Sequence, residues 1–220
     1  MLDVVSLLIN GMQWHQGLLW LACPTQSIVA TYDPVSRAIE EQLPHPGVEH
    51  ACPTEGGVWL QTNGGTLGQQ LVLWSLDEHR SLRRFDCPDG AASGITVVNG
   101  KLWLSHRRNR KLFCMDPDSG ELLWTIRTER QIFAPTTHCQ ELWGIECEPG
   151  PLGDWGDVGQ ADYFFVRFDP VHERVVERYE VPFAPTCLAL HNDRFWYATY
   201  SQSGLSDLTK ESLTVAQRLW

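Results

Sequence analysis

Five short apolar segments along this chain each carry a tryptophan just after a turn: Leu18-Leu19-Trp20-Leu21, Val58-Trp59-Leu60, Leu102-Trp103-Leu104, Leu142-Trp143-Gly144 and Phe195-Trp196-Tyr197. The tryptophans are 39, 44, 40 and 53 residues apart. A period near 40 residues made of short strands is the pattern of a propeller blade. An acidic turn follows the first four tryptophans, at Asp33-Pro34, Asp77-Glu78, Asp116-Pro117 and Asp169-Pro170, at gaps of 13, 18, 13 and 26 residues. The uneven spacing then reduces to insertions of 5 residues in the second copy and 13 in the fourth.

The third copy is the most regular and predicts four strands: Gly94 to Val98, Leu102 to Ser105, Leu112 to Met115 and Leu122 to Arg127. Its Asn99-Gly100 step is a strong hairpin signal, because a type I′ turn needs positive φ at both central residues. In the fifth copy, Thr209 to Leu219 aligns without gaps on Asp33 to Leu43, so that copy also supplies four strands and the five copies fill the 220 residues. A four-stranded meander that is apolar on both faces cannot bury itself alone. The expected fold is therefore an all-β, five-bladed β-propeller of four-stranded antiparallel meander blades, forming a single domain over residues 1–220. Its blades span roughly 4–44, 45–88, 89–129, 130–181 and 182–220. With blade one starting near Val4, ring closure is expected from face packing, helped by Met1 to Asp3.

Ten tryptophans and eight phenylalanines supply the bulk that packing sheet on sheet requires. The net charge of −10 argues against nucleic acid, whose non-specific affinity comes from clustered Lys and Arg. No stretch is long enough to span a bilayer. The N-terminal Leu7-Leu8-Ile9 run has no basic residue before it and so lacks a secretory signal. Seven cysteines, an odd number without a C-x-x-C pair, read as free thiols in a reducing compartment, and the expected localisation is cytoplasmic.

Function is sought where the copies differ. The connections between second and third strands share a face with the channel mouth, and loops on a rigid scaffold carry function. Blade three places His106-Arg107-Arg108-Asn109-Arg110-Lys111 there, and blade four places the long segment Glu146 to Gln160 with Asp154, Trp155 and Asp157. One reading pairs these loops across the gap as structure. The other makes Arg107, Arg108 and Arg110 the holders of an anionic ligand, beneath a lid carrying Glu146, Asp154, Trp155 and Asp157. At the channel mouth, Glu49 beside His50 is the acid/base candidate, since a histidine near neutral pKa next to a carboxylate suits proton transfer at pH 7. Phe133 and Phe183 open the innermost strands of blades four and five and are candidate substrate contacts.

His15, His138 and His191 each stand five residues before a blade tryptophan. Three imidazoles suit a metal, but this position is the far end of the first strand, so they are expected on the face opposite the mouth, spread over separate blades. No cofactor is indicated, the metal content is left unknown, and a divalent metal remains compatible with the histidines.

The unit Asn99-Gly100-Lys101-Leu102-Trp103-Leu104, followed by Met115-Asp116-Pro117-Asp118-Ser119-Gly120-Glu121-Leu122-Leu123-Trp124, resembles the repeats of the streptogramin-lyase-like and quinoprotein-like propeller families. The resemblance implies a propeller. It also implies, for the lyases, metal-assisted elimination with histidines at the channel mouth, a role that only His50 suits here. Glutaminyl cyclotransferases of the plant and bacterial type share the count of five blades and offer a metal-free comparison, although their signature segments are not found. Two functions stand. The first is a lyase- or cyclase-type enzyme acting on a small anionic or peptide-derived substrate at the mouth. The second is a non-catalytic propeller that binds a ligand or a protein partner.

Overall fold

The computed structural model describes residues 7–148, 161–199 and 205–209. Nineteen strands form five antiparallel sheets among the described residues. Blade one contains β1 (Gly11–His15), β2 (Leu18–Cys23), β3 (Ile28–Asp33) and β4 (Ala38–Pro44), and blade two contains β5 (Val48–Thr54), β6 (Gly57–Asn63), β7 (Gln69–Ser75) and β8 (Arg80–Asp86). Blade three contains β9 (Ile95–Val98), β10 (Lys101–His106), β11 (Lys111–Met115) and β12 (Leu122–Arg127). Blade four contains β13 (Gln131–His138), β14 (Glu141–Glu148), β15 (Asp162–Asp169) and β16 (Arg174–Val181). Blade five contributes β17 (Pro185–His191), β18 (Arg194–Thr199) and β19 (Ser206–Thr209). Every sheet is a simple meander, and the first strands β1, β5, β9, β13 and β17 touch one another in turn around the ring. The fold is the five-bladed β-propeller that the repeat implies.

The burial pattern follows the radius. Middle strands such as β6 (Gly57–Asn63) and β10 are buried on both faces, whereas the outermost β4, β8 and β12 are mostly exposed and read Ala-Ile-Glu-Glu-Gln-Leu-Pro, Arg-Ser-Leu-Arg-Arg-Phe-Asp and Leu-Leu-Trp-Thr-Ile-Arg. Each repeat tryptophan packs onto the following blade. Trp20 lies against the Ala51, Leu60 and Val72 cluster, Trp59 joins Ile95 and Phe113, and Trp103 joins Ile132 and Phe168. Trp143 meets Phe195 edge to face with ring centroids 5.7 Å apart. Trp196 completes the circuit beside Trp14 of blade one at 6.3 Å. The ring is thus held by the same large apolar contact made five times over.

Strand β1 begins at Gly11, and Leu7 to Asn10 ahead of it bridge blades one and five; Val4, near which blade one was expected to start, lies outside the described residues. The Asn10 amide donates to Ala22 O (2.9 Å), and the Thr186 hydroxyl donates to Ile9 O (2.8 Å). Met1 to Asp3, expected to help closure, lie outside the described residues. The second blade's turn is anchored by Ser75 rather than Asp77. Ser75 Oγ accepts from the Glu78 amide (3.0 Å), as Asp33 does from Ser36, Asp116 from Ser119 and Asp169 from His172. The register explains why: this acceptor stands two residues beyond the one paired with the blade tryptophan, Thr31, Leu73, Cys114 and Arg167 in turn. A hydroxyl replaces a carboxylate without changing the turn.

All seven cysteines are free, and only Cys139 is exposed. Burial pushes the Cys52 and Cys187 thiols up to about 12. Among the described residues no helix is long and apolar enough to cross a membrane.

Candidate functional site

The channel mouth is shaped by β-bulges. An extra residue interrupts the register between Val48 and His50 in blade two, between Phe133 and Thr136 in blade four, and between Pro185 and Cys187 in blade five. A bulge breaks the strict alternation of side chains and re-aims the extra residue. In blades two and five those residues are Glu49 and Thr186, and both line the mouth.

Glu49 is half-buried, and its Oε2 accepts from Asn10 Nδ2 (3.3 Å). Burial pushes its carboxyl above the usual carboxylate range. His50, only 8% exposed, lies against the backbone of β1, where a methyl group on Gly11 would come within 2.6 Å of its Nδ1. Burial pulls the imidazole down to about 4, so it is neutral at pH 7. No hydrogen bond joins Glu49 to His50, and burial alone accounts for both shifts. The pair is therefore a protonatable carboxyl beside a neutral imidazole, rather than the near-neutral histidine and carboxylate dyad expected from their adjacency.

The depressed pKa makes His50 a source of acid sensitivity. Above the unfolded value of 6.5 its contribution to stability is complete, and it is lost as pH falls through about 4, because the unfolded chain takes up the proton first. His50→Asn is expected to flatten this part of the melting temperature against pH curve, as measured by circular dichroism between pH 7 and pH 4.

A cavity of about 180 Å³ at the mouth brings together Glu49, His50, Arg107, Phe133, Gln61 and Thr186. Arg107 is buried and rigidly held. Its Nε donates to Gln131 Oε1 (2.8 Å), its Nη2 to Cys147 Sγ (3.3 Å), and its guanidinium sits 4.6 Å from the Phe133 ring centroid. Further along the inner strands Gln13 plugs the channel. Its Nε2 donates to Ile95 O (3.0 Å) and Pro135 O (2.8 Å), while its Oε1 accepts from the Thr96 (3.3 Å) and Thr136 (2.9 Å) hydroxyls. The mouth is thus a cup, with a polar network farther along the ring axis.

Other predicted residues lie elsewhere. Arg108 and Arg110 are exposed on the β10–β11 turn, with Arg110 Nη1 donating to Glu129 O (3.0 Å). The same turn is tied to the connection between blades two and three, because Lys111 Nζ (2.6 Å) and Asn109 Nδ2 (3.1 Å) both reach Asp89. Glu146, expected on a lid, is buried in β14 and pairs with Arg178 through both guanidinium contacts, at 2.7 and 3.0 Å. Phe183 stacks on Tyr197 at 4.4 Å and meets Phe165 at 6.2 Å, packing between blades four and five. Asp154, Trp155 and Asp157 fall outside the described residues.

The histidines at the opposite face are closer together than expected. The His138 and His191 rings are 6.5 Å apart and perpendicular, and His191 stacks on Trp14 at 4.0 Å. Inner strands converge on the axis, so equivalent ends on neighbouring blades meet. Among the described residues no three His, Cys, Asp or Glu side chains form a group able to hold a metal. Sequence reasoning missed Asn10, Gln61, Gln131 and Thr186. For Gln61, the available signal was an amide following the apolar run of the second strand in blade two, since a buried amide has to find partners.

No protein-family model matches the sequence, and no curated protein matches it significantly. Solved structures do resemble it. The Doa1 WD40 propeller domain is 9% identical, with TM-score 0.57 over 93% of this chain and 64% of that one. The Pan2 WD40 domain of Neurospora crassa is 9% identical, with TM-score 0.56 over 95% and 64%. The glutaminyl cyclase of Myxococcus xanthus is 16% identical, with TM-score 0.71 over 97% of this chain and 93% of that one. At these identities the likeness establishes the fold alone: the chain is similar to propeller proteins along nearly its whole length.

Proposed function

We propose that the channel mouth performs cyclase-type acid–base chemistry on the amino terminus of a peptide, with an N-terminal glutamine as substrate. The observation that carries this reading is Glu49, aimed by a bulge into a cup that also holds His50, Arg107 and Phe133. Similarity in fold to a glutaminyl cyclase supports it, as does the nature of the site. A carboxylate at the mouth attracts an amine, so a peptide amino terminus suits it better than an anionic small molecule.

In the reaction the α-amino nitrogen bonds to the side-chain Cδ of glutamine, and the Cδ–N bond to the amide nitrogen breaks. Glu49 takes the proton that the amine loses and returns it to the departing nitrogen, which leaves as ammonia. A pKa raised by burial suits a group that must both accept and donate a proton. Arg107, pinned by Gln131 and Cys147, supplies fixed positive charge for the oxyanion. His50 is neutral and walls the cavity against water. The buried free thiols support a reducing compartment, the cytoplasm.

Mass spectrometry of glutamine-initiated peptides is expected to show loss of ammonia, with Glu49→Gln slowing it about a hundredfold or more. The variant is expected to fold at least as stably at pH 7. A carboxyl with a raised pKa contributes stability below its unfolded pKa and loses it as pH rises through the folded value, and the amide has no such loss. Unchanged turnover in Glu49→Gln would sink the assignment. A second reading, a non-catalytic interaction propeller, is favoured by a groove of about 460 Å³ between blades three and four, beside Trp124 (58% exposed) and Val171 (82% exposed). Ammonia release by the wild type decides for the first.

A further inference from the structure

A second cavity, of about 290 Å³, opens beside the cup between blades one and five. The two share Asn10, Glu49 and Thr186, so a molecule reacting at Glu49 has a continuous path into it. Its walls are unlike those of the cup. Leu7, Leu8, Ile9, Pro24 and Ala198 are apolar, while Asn10, Thr25, Thr186 and Thr199 are neutral. Among the described residues lining it, Glu49 is the single charged one, and it belongs to the reacting end.

The cavity is built rather than left over. The segment carrying Leu7, Leu8 and Ile9 is pinned where it enters β1, to blade one by the Asn10 to Ala22 hydrogen bond and to blade five by Thr186 to Ile9. Leu7 and Ile9 are buried in the core, which fixes the backbone and leaves Leu8 between them 51% exposed. A large aliphatic side chain held in that position by buried neighbours presents apolar surface at the cavity. The volume exceeds that of a water molecule, about 30 Å³, many times over and suits one aliphatic or aromatic side chain.

We propose that this cavity is the subsite for the residue that follows the N-terminal glutamine, and that it selects peptides in which that residue is apolar. The inference rests on the cyclisation reading for the identity of the first residue. It goes beyond that reading in naming the sequence of the preferred substrate and the residues that set the preference. A charged second side chain would have to leave water for a wall whose described residues offer no partner of opposite sign, other than the carboxylate already engaged with the reacting amine.

The test compares kcat/KM for Gln-Leu, Gln-Lys, Gln-Asp and Gln-Gly peptides of otherwise identical sequence. Gln-Leu is expected to exceed Gln-Lys and Gln-Asp about tenfold, the usual scale of discrimination by an apolar pocket. Leu8→Asn, at an exposed position, is expected to bring those ratios down to about two. Thr25→Trp, on an exposed turn, fills the cavity and is expected to slow Gln-Leu about tenfold more than it slows Gln-Gly. In parallel, calorimetry measures the binding of Ala-Leu-Ala and Ala-Lys-Ala, which cannot cyclise. Should no peptide release ammonia while Ala-Leu-Ala still binds about tenfold tighter than Ala-Lys-Ala and Leu8→Asn erases the difference, the cyclisation reading falls and the subsite stands. Equal rates across the series, or equal affinities where nothing turns over, overturn the subsite.

Discussion

Gln13→Ala is expected to lower unfolding stability by about 4 kcal/mol, since each buried polar group left without a partner costs about 1–3 kcal/mol. One amide side chain on β1 satisfies two carbonyls and two hydroxyls from β9 and β13, so truncation removes a partner from four groups at once near the ring axis. With domain stabilities of about 5–15 kcal/mol, the loss is a large share of the whole. Gln13→Met separates hydrogen bonding from packing, because it fills the volume and still takes the amide away from the four groups. Adding Thr96→Val and Thr136→Val to Gln13→Met removes the two hydroxyls, and part of the stability is expected to return. Urea unfolding monitored by tryptophan fluorescence measures each step. A loss below about 1 kcal/mol for Gln13→Ala would mean that water replaces the amide and that the network on the axis is not dry.

Glu146→Ala is expected to cost about 3–5 kcal/mol, the range for stranding one member of a buried ion pair. The carboxylate and the Arg178 guanidinium are both buried, with side-chain exposures of 3% and 14%, and the guanidinium also lies 5.3 Å from the Phe164 ring centroid. Removing the carboxylate leaves a cation in a half-apolar setting. Removing both partners is a different experiment. Glu146→Met combined with Arg178→Met is expected to recover most of the loss, because no uncompensated charge remains. The same variants bear on function: a structural Glu146 changes the unfolding midpoint and leaves KM for glutamine peptides unchanged, whereas a substrate contact raises KM.

The repeat was legible because blade-building residues act locally and recur along the chain. A tryptophan two residues into each second strand, the Asx-type turn after the third strand in blades one, three and four and the Asn-Gly hairpin of blade three each set backbone geometry within a few residues. Strands predicted for blade three match those found to within a residue or two. Where local chemistry is degenerate the reading slipped. Ser75 and Asp77 can both anchor a turn, and only the pairing of Trp59 with Leu73 places Ser75 at the equivalent position. Leu7-Leu8-Ile9 looks like a strand by composition, yet a segment that bridges two blades also needs apolar side chains on one side.

The site was legible in part, and the dividing line is physical. Glu49, His50, Arg107 and Phe133 could be nominated because they stand at the starts of inner strands or on a connecting turn near the axis, and they do line one cavity. Their chemical states could not be read. Adjacent letters suggested a proton-sharing pair, while burial from the neighbouring blade, with Gly11 against the imidazole, sends Glu49 up and His50 down. Glu146 looked like the first residue of a lid because the insertion begins near it, and its partner Arg178 is 32 residues away in sequence.

Sequence alone determined the number of blades and the meander within each, because these follow from periodic patterning and short-range turn chemistry. Tertiary structure alone decided which inner-strand residues are re-aimed by bulges, that Gln13 closes the channel with partners 82 to 123 residues away, and that residues 7–10 wall a second cavity beside Glu49. Those features arise where five first strands converge on one axis, and the distances between residues on different strands there are set by ring closure, which no local stretch of sequence encodes.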